Sequence, residues 1–211
     1  DKEFKNEREF KVSNLSFTYP DGTQSLKDIN TTFKRGSLTA IVGHSGCGKS
    51  TLVSILAGEL KSNENEIFVD DVDIHNINLE DKVKNILKIT HDSHIFSGTV
   101  RENLTMANEN LSDETMIEVL KKVKLWDIFS KAKGLDTVLE SQGKNLSGGQ
   151  AQRVALARAL LYDASVYIFD EATSNIDIES EEIILNIIHS LSKEKTVIYI
   201  SHRLPAIKNA D

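Results

Sequence analysis

The stretch Gly43-His44-Ser45-Gly46-Cys47-Gly48-Lys49-Ser50 decides the fold, because it matches the pattern G-x-x-x-x-G-K-[ST]. The apolar run Ser37–Val42 precedes it, and apolar residues at helical spacing follow it between positions 52 and 56. The pattern therefore lies between a predicted strand and a predicted helix, which is the setting in which such a loop binds phosphate. Its glycines let backbone N–H groups turn toward an anion, and the helix N-terminus adds partial positive charge.

The residue types in this loop predict a nucleotide site. Lys49 can reach β- and γ-phosphate oxygens, and the Ser50 hydroxyl can ligate Mg²⁺. A chance glycine-rich turn is the alternative, and the flanking strand and helix disfavour it. Cys47 is better explained as a small residue within the loop than as a nucleophile. The predicted nucleotide-binding set here is Gly43, His44, Ser45, Gly46, Cys47, Gly48, Lys49, Ser50 and Thr51.

The remaining pattern predicts an α/β fold with mostly parallel strands. Ser165–Phe169 and Thr196–Ile200 are apolar runs that flank a segment whose isoleucines repeat with a period near 3.6. Strand, helix and strand in that order are typical of a parallel sheet covered by helices. Near the N-terminus, Phe10–Tyr19 and Gln24–Phe33 surround a Pro-Asp-Gly turn and predict an antiparallel β layer.

The chain is predicted to be one domain over residues 1–211, with a helical insertion. Residues 103–133 have a helical pattern throughout, and Ser112 is the expected N-cap of a helix in this region. We expect a catalytic core with its β layer at about residues 10–90 and 160–211, and a helical subdomain at about residues 91–159. The charged residues 1–9 are expected to be a linker.

Composition excludes several classes of protein. Apolar residues make up 39% of the chain, with 11 glycines and 2 prolines, so it is not collagen-like or disordered. The net charge of −7 disfavours nucleic acid as a partner. The single cysteine cannot form an internal disulfide, and no apolar run approaches the ~20 residues of a membrane span.

A second set of candidate residues follows the later strands. Asp170 ends a buried-type strand and can hold Mg²⁺ through water, while Glu171 can orient a water that attacks the γ-phosphate. A solvated strand end without a catalytic role is the alternative. The phosphate loop in the same chain favours a role in metal binding and catalysis for these two carboxylates. His202 follows another strand at the carboxyl edge of the sheet, where open parallel sheets bind ligands. Taken alone, such a histidine is more often a surface or packing residue.

Leu146-Ser147-Gly148-Gly149-Gln150 predicts a second anion site at the start of a helix. An ordinary capped helix is the alternative. The candidate nucleotide-binding residues of this pentamer are Ser147, Gly148, Gly149 and Gln150.

These motifs, in this order, resemble the ATP-binding cassette of ABC transporters over nearly the whole chain. The resemblance implies a P-loop NTPase core with a mostly parallel sheet, an antiparallel β layer and a helical subdomain that carries the signature pentamer. It implies that Tyr19 stacks on adenine, that Asp177 is the D-loop aspartate, and that His202 contacts the γ-phosphate. The segment from Ile95 to Leu104 is similar to that of exporter-type cassettes.

The resemblance further implies an ATPase whose cofactors are ATP and Mg²⁺, with Glu171, His202 and Lys49 as catalytic residues. The expected partners are transmembrane domains, fused or separate, and a second cassette in a head-to-tail dimer, in which the signature of one copy completes the ATP site of the other. Its expected function is to drive export of a substrate, at the cytoplasmic face of the cell membrane. The expected metal-site residues are Ser50, Asp170 and His91.

The chain departs from the family pattern at several positions. His91 stands where the family usually has a glutamine. The D-loop has the sequence Ser174-Asn175-Ile176-Asp177 instead of the commoner Ser-Ala-Leu-Asp. The family's acidic-basic-glycine element before the signature is reduced here to Ser141-Gln142-Gly143. The chain ends at Asp211, where the family usually continues, so a truncated C-terminus is expected.

Two alternative functions stay open. The first is a regulatory or degenerate cassette with little turnover, which the intact Glu171 disfavours. The second is a non-transport ABC ATPase, which the lack of a second phosphate loop and of a heptad run disfavours. The sequence specifies neither the transported substrate nor whether the partner cassette is identical.

Overall fold

The structure is a computed structural model, and it describes residues 9–44, 46–92 and 94–202. Its strands are β1 (Phe10–Thr18), β2 (Gln24–Phe33), β3 (Leu38–Val42), β4 (Ile67–Val69), β5 (Val72–Asp73), β6 (Ile86–Thr90), β7 (Gly98–Thr99), β8 (Val138–Leu139), β9 (Val166–Asp170) and β10 (Thr196–Ser201). Its α-helices are α1 (Lys49–Leu56), α2 (Leu79–Asn85), α3 (Val100–Thr105), α4 (Asp113–Lys122), α5 (Trp126–Ser130), α6 (Gly148–Tyr162) and α7 (Ile178–Ser192).

Two four-stranded sheets organise these elements. One has the order β2-β1-β4-β5 with antiparallel pairing, and the other has the order β3-β10-β9-β6. In the second sheet β10 runs parallel to both β3 and β9. Every residue of β10 and the first four of β9 are buried, because strands of a parallel sheet are covered on both faces. The predicted α/β fold, with its parallel sheet and its N-terminal antiparallel layer, is confirmed.

The described residues fall into two compact units by their contacts. The first comprises the described residues of Asp1–Lys88, Ser165–Glu171 and Ser190–Asp211, and the second those of Ile89–Ala164 and Ala172–His189. In the first unit, side chains of β1, β2, α1 and β4 pack with those of β9 and β10 in one hydrophobic core. This core fixes the strand ends from which the phosphate-loop residues and Glu171 project.

The helical region differs from its prediction. Residues 103–133 are not helical throughout, since α3, α4 and α5 are separated by turns. The predicted N-cap is confirmed, because the Thr115 N–H donates to the Ser112 Oγ at 3.2 Å.

The expected linker at residues 1–9 falls outside the described residues except for Glu9, and the chain after His202 lies outside them as well. Within residues 9–44, 46–92 and 94–202, none of the helices combines the length and apolarity that crossing a membrane requires.

Candidate nucleotide site

A cavity in the first unit contains most of the predicted phosphate-binding residues. Strand β3 leads into the loop and α1 leaves it, which brings Gly48, Lys49 and Ser50 to the carboxyl ends of the parallel strands. The cavity is lined by Ser25, His44, Gly46, Gly48, Lys49, Ser50, Thr51, Asp170, Glu171, Ile200 and His202. Residues far apart in the sequence therefore meet in this cavity, whereas Gly43 and Cys47 are not part of its lining and Ser45 lies outside the described residues.

Gly48 permits the close approach of β2 to the loop. Its φ of 95° lies in the left-handed region, and a Cβ at this position would lie 2.7 Å from the Ser25 carbonyl oxygen. A side chain here would therefore push β2 away from the loop.

Lys49 is buried, and its ammonium group lies on the loop backbone. Its Nζ donates to the Gly43 carbonyl and, at 3.3 Å, to the His44 carbonyl. The same Nζ lies 3.2 Å from His202 Nδ1. The ammonium group thus lies at the mouth of the loop, where a bound anion can replace these carbonyl oxygens as its hydrogen-bond partner.

His202 connects Lys49 with Glu171. Its Nε2 contacts the Glu171 carboxylate, while its Nδ1 faces Lys49 Nζ and the Gly43 carbonyl. A neutral ring with its proton on Nε2 satisfies two of these contacts, because Nε2 then donates to Glu171 and Nδ1 accepts from Lys49. A lysine, a histidine and a carboxylate thus form one continuous polar row.

Ser50 and Asp170 line the same cavity and offer a hydroxyl and a carboxylate oxygen. Mg²⁺ prefers such hard oxygen ligands, and it usually takes only one or two from the protein because phosphates and water supply the rest. The donor set therefore fits this ion. The described residues contain no cluster of three or more histidine, cysteine or acidic side chains suited to a metal.

His91 belongs to the second unit and lines a different cavity there, together with Asp92, His94 and Gly148. Its Nε2 lies 3.4 Å from Asp92 Oδ1, and both side chains are largely exposed. The role of His91 at a metal stays a prediction.

The signature pentamer begins α6 with a complete capping box. The Gln150 N–H donates to Ser147 Oγ at 3.1 Å, and the Ser147 N–H donates to Gln150 Oε1 at 3.0 Å. The capped helix is therefore present, and it is compatible with an anion site because the capping serine keeps its own O–H as a donor. The N–H groups of Gly148 and Gly149 belong to the first turn, which has no intrahelical acceptors.

Gly149 and Asp177 bring the starts of α6 and α7 together. A Cβ on Gly149 would overlap Ser180 Oγ and Asp177 Oδ1, whereas a Cβ on Gly148 would meet nothing within 4 Å. Asp177 caps α7 by accepting from the Ser180 N–H at 2.9 Å. This backbone hydrogen bond lowers the pKa of the Asp177 carboxyl, and the positive charge of Arg153 contributes to the same shift.

Two arginines of α6 support the second unit. Arg153 donates to the Val123 and Lys124 carbonyls at the end of α4, and burial lowers the pKa of its guanidinium. Arg158 donates to the His94 carbonyl at 2.6 Å and lies over the Phe96 ring, and burial lowers its pKa too. Arg158 therefore anchors the backbone at His94 and the Phe96 ring.

Sequence reasoning missed Ser25. It precedes a buried leucine in an alternating strand, which gives no sign that its side chain lines the cavity. The expected base-stacking residue Tyr19 lies nearby, because its hydroxyl is hydrogen-bonded to Thr51 at 2.8 Å.

A loop of this type between a parallel strand and a helix, with acidic residues at the end of a neighbouring strand, defines a P-loop nucleotide-binding domain. A family model of the ABC transporter matches residues 26–174. The chain belongs to this ABC transporter family.

Similar proteins agree with that assignment. An uncharacterized ABC transporter ATP-binding protein of Haemophilus influenzae is 45% identical over 100% of this chain and 38% of its own length. The Beta-(1-->2)glucan export ATP-binding/permease protein NdvA of Bartonella bacilliformis is 36% identical over 93% of this chain and 33% of its own length. The structure of a bacterial Atm1-family ABC exporter with ATP bound matches 98% of this chain and 36% of its own, with a TM-score of 0.88 and 30% identity. The chain thus spans less than two fifths of these relatives.

Proposed function

We propose that this chain binds ATP with Mg²⁺ and hydrolyses it, and that hydrolysis drives export of a substrate through transmembrane domains at the cytoplasmic face of the cell membrane. The observation that carries the proposal is the row Lys49, His202 and Glu171 beside the phosphate loop. Two of the similar proteins support export as the direction of transport. One is named as a glucan export protein, and the other is an Atm1-family exporter.

Several residues of the site have a role in this reaction. Lys49 and the loop N–H groups bind the phosphates. Ser50 and Asp170 would hold Mg²⁺, which would supply positive charge against the phosphate oxygens. Glu171 accepts a hydrogen bond from the attacking water and orients it. The single N–H of a neutral His202 ring contacts the Glu171 carboxylate here, and it would donate to the γ-phosphate instead when the nucleotide replaces that contact. Tyr19 stacks on the base.

The test is ATP hydrolysis by the parent chain and by Glu171→Gln. The amide keeps the shape of the side chain but lacks the charge that orients water. Turnover should therefore fall at least about a hundredfold, which is the usual contribution of a general base, while ATP binding persists. Glu118→Gln, an exposed position on α4, is the matched control and should keep the parental rate. Parental turnover in Glu171→Gln would refute the assignment.

A further inference from the structure

Three hydroxyl groups link the predicted base-binding residue Tyr19 to the helix that follows the phosphate loop. Thr51 Oγ1 lies 2.8 Å from the Tyr19 hydroxyl and 2.7 Å from Ser25 Oγ. Thr51 is only 4% exposed and follows Ser50 in the first turn of α1. The three side chains therefore connect the end of β1, the start of β2 and the phosphate-binding helix.

The hydrogen bonds of this cluster leave one proton unused. Three hydroxyls carry three protons and form two hydrogen bonds, so one O–H remains to donate to water or to a ligand oxygen. Thr51 is satisfied in every arrangement, which matters because an unpaired hydroxyl at its depth would be destabilising. The cluster can therefore persist when a nucleotide occupies the cavity.

The Tyr19 side chain is held at both ends. Its backbone is fixed by a turn in which the Tyr19 N–H donates to the Thr23 carbonyl and the Gly22 N–H donates to the Tyr19 carbonyl, both at 2.9 Å. The Phe17 ring contacts it edge-on, with centroids 5.0 Å apart and planes at 81°. The hydroxyl end is held by Thr51. The ring orientation is therefore set before any base is bound.

Ser25 joins this cluster to the phosphate loop by a second route. Its side chain contacts Thr51, and its carbonyl packs so closely against Gly48 that no Cβ fits between them. Ser25 also lines the cavity next to Lys49 and Ser50. The base end and the phosphate end of the site thus share one rigid frame.

We infer that Ser25 and Thr51 are positioning residues that fix the Tyr19 ring for stacking on the nucleobase. The inference rests on the proposed binding of ATP. An aromatic platform that is already oriented loses less freedom when the base arrives, and therefore binds more tightly. The benefit applies to ligands that carry a base and not to the phosphates alone.

The experiment compares two ligands, MgADP and magnesium pyrophosphate, in competition with a fluorescent ATP analogue on the full 211-residue chain. The variants are Ser25→Ala, Tyr19→Phe and the double variant, and Thr51 is left intact. Each single variant should weaken ADP binding roughly threefold to tenfold, the usual range for one neutral hydrogen bond, and should weaken pyrophosphate binding by less. The double variant should be weaker by less than the product of the two single effects, because both hydroxyls act through Thr51.

Two further variants separate positioning from general damage. Ser25→Thr keeps the hydroxyl that Ser25→Ala removes, and it should keep the parental ADP affinity. Ser16→Ala removes a hydroxyl from β1 that accepts from the Asp28 N–H and does not reach Thr51, so it should change neither affinity. Equal loss of ADP and pyrophosphate binding in Ser25→Ala, no loss of ADP binding, or fully multiplicative effects would overturn the inference. A parent chain that binds no nucleotide would instead refute the proposed function.

Discussion

Glu171 has a left-handed backbone conformation at the end of β9. Its φ of 55° lies in the left-handed region, which a residue with a Cβ adopts at an energetic cost. Its N–H still donates to the Ile200 carbonyl at 3.0 Å, so the pairing of β9 with β10 continues one residue beyond the strand. The turn then directs the carboxylate to His202. The sequence identified Glu171 by its place after an apolar strand, but this conformation is imposed by the sheet and left no sequence signal.

His91 provides a prediction at the residue scale. If its ring reaches the hydration shell of Mg²⁺, as the resemblance implies, His91→Ala should raise the Mg²⁺ concentration that gives half-maximal ATP hydrolysis by about threefold to tenfold, the effect of one lost hydrogen bond. His94→Ala is the matched control, since the structure uses the His94 carbonyl and not its ring to bind Arg158. An unchanged Mg²⁺ dependence in His91→Ala would place His91 outside the metal site.

At the scale of the element, helix ends decide where sequence reasoning succeeds. Ser112 and Ser147 cap α4 and α6 with side chains that the sequence shows. The end of α4 gave no such signal, because Lys124, with a φ of 59°, occupies the position that glycine usually takes. The Leu125 N–H donates to the Leu120 carbonyl and the Lys124 N–H to the Lys121 carbonyl, which is a Schellman motif. This turn is one of the breaks between α3, α4 and α5 that the helical pattern of residues 103–133 did not show.

Two adjacent glycines of the signature make opposite predictions about stability. Gly149→Ala should destabilise the chain by about 1–3 kcal/mol, because its Cβ would overlap Asp177 and Ser180. Gly148→Ala should be neutral or slightly stabilising, since its Cβ meets nothing and alanine favours the helix. Urea unfolding of the two variants measures the difference. Equal stabilities would show that α6 and α7 do not approach each other as described.

The N-cap of α7 predicts a dependence on pH. The pKa of the Asp177 carboxyl is lowered from 3.8 by the Ser180 N–H, so its ionised form stabilises the fold above pH 3.8, and this contribution is lost as the pH falls through the lower folded-state pKa. Asp177→Asn keeps a good cap without the charge. It should be less stable than the parent at neutral pH, and the difference should close below pH 3.8.

Unfolding by urea at a series of pH values tests this prediction. Asp177→Ala is the comparison, because it removes the acceptor itself and should remain less stable than the parent across the series. A difference between the parent and Asp177→Asn that does not change with pH would contradict the role of the charge.

For the whole molecule, the parts that local patterns specify were predicted, and the parts that depend on long-range packing were not. Strand β3, the phosphate loop and α1 are contiguous and carry their own signals. The short strands β4 and β5 were missed because three and two residues are too few to show a period. Ser25 was missed because only the folding of β2 against Gly48 brings it to the cavity.

The signature motif leads to a prediction about assembly. The cavity at the phosphate loop is lined by residues of the first unit, whereas Ser147, Gly148 and Gly149 belong to the second. We propose that the signature of a second copy of the cassette binds the γ-phosphate at this cavity, with the unused donors at the start of α6. Glu171→Gln, which retains ATP, should then elute with MgATP at twice the mass of one chain and with MgADP as a monomer.

A second substitution makes this test specific for the signature. Gly148→Asp places a carboxylate where the γ-phosphate of the other copy should bind, and the position has room for a side chain. An aspartate in the first turn also suits the helix dipole, so the fold should be retained. The variant Glu171→Gln/Gly148→Asp should therefore bind ATP with the parental affinity and remain monomeric, because two anions would be forced together in the dimer. Light scattering after gel filtration measures both masses. A doubly substituted chain that still forms a dimer with ATP would show that the two copies meet through another surface, and an ATP-bound Glu171→Gln that stays monomeric at saturating nucleotide would remove the basis for a head-to-tail pair.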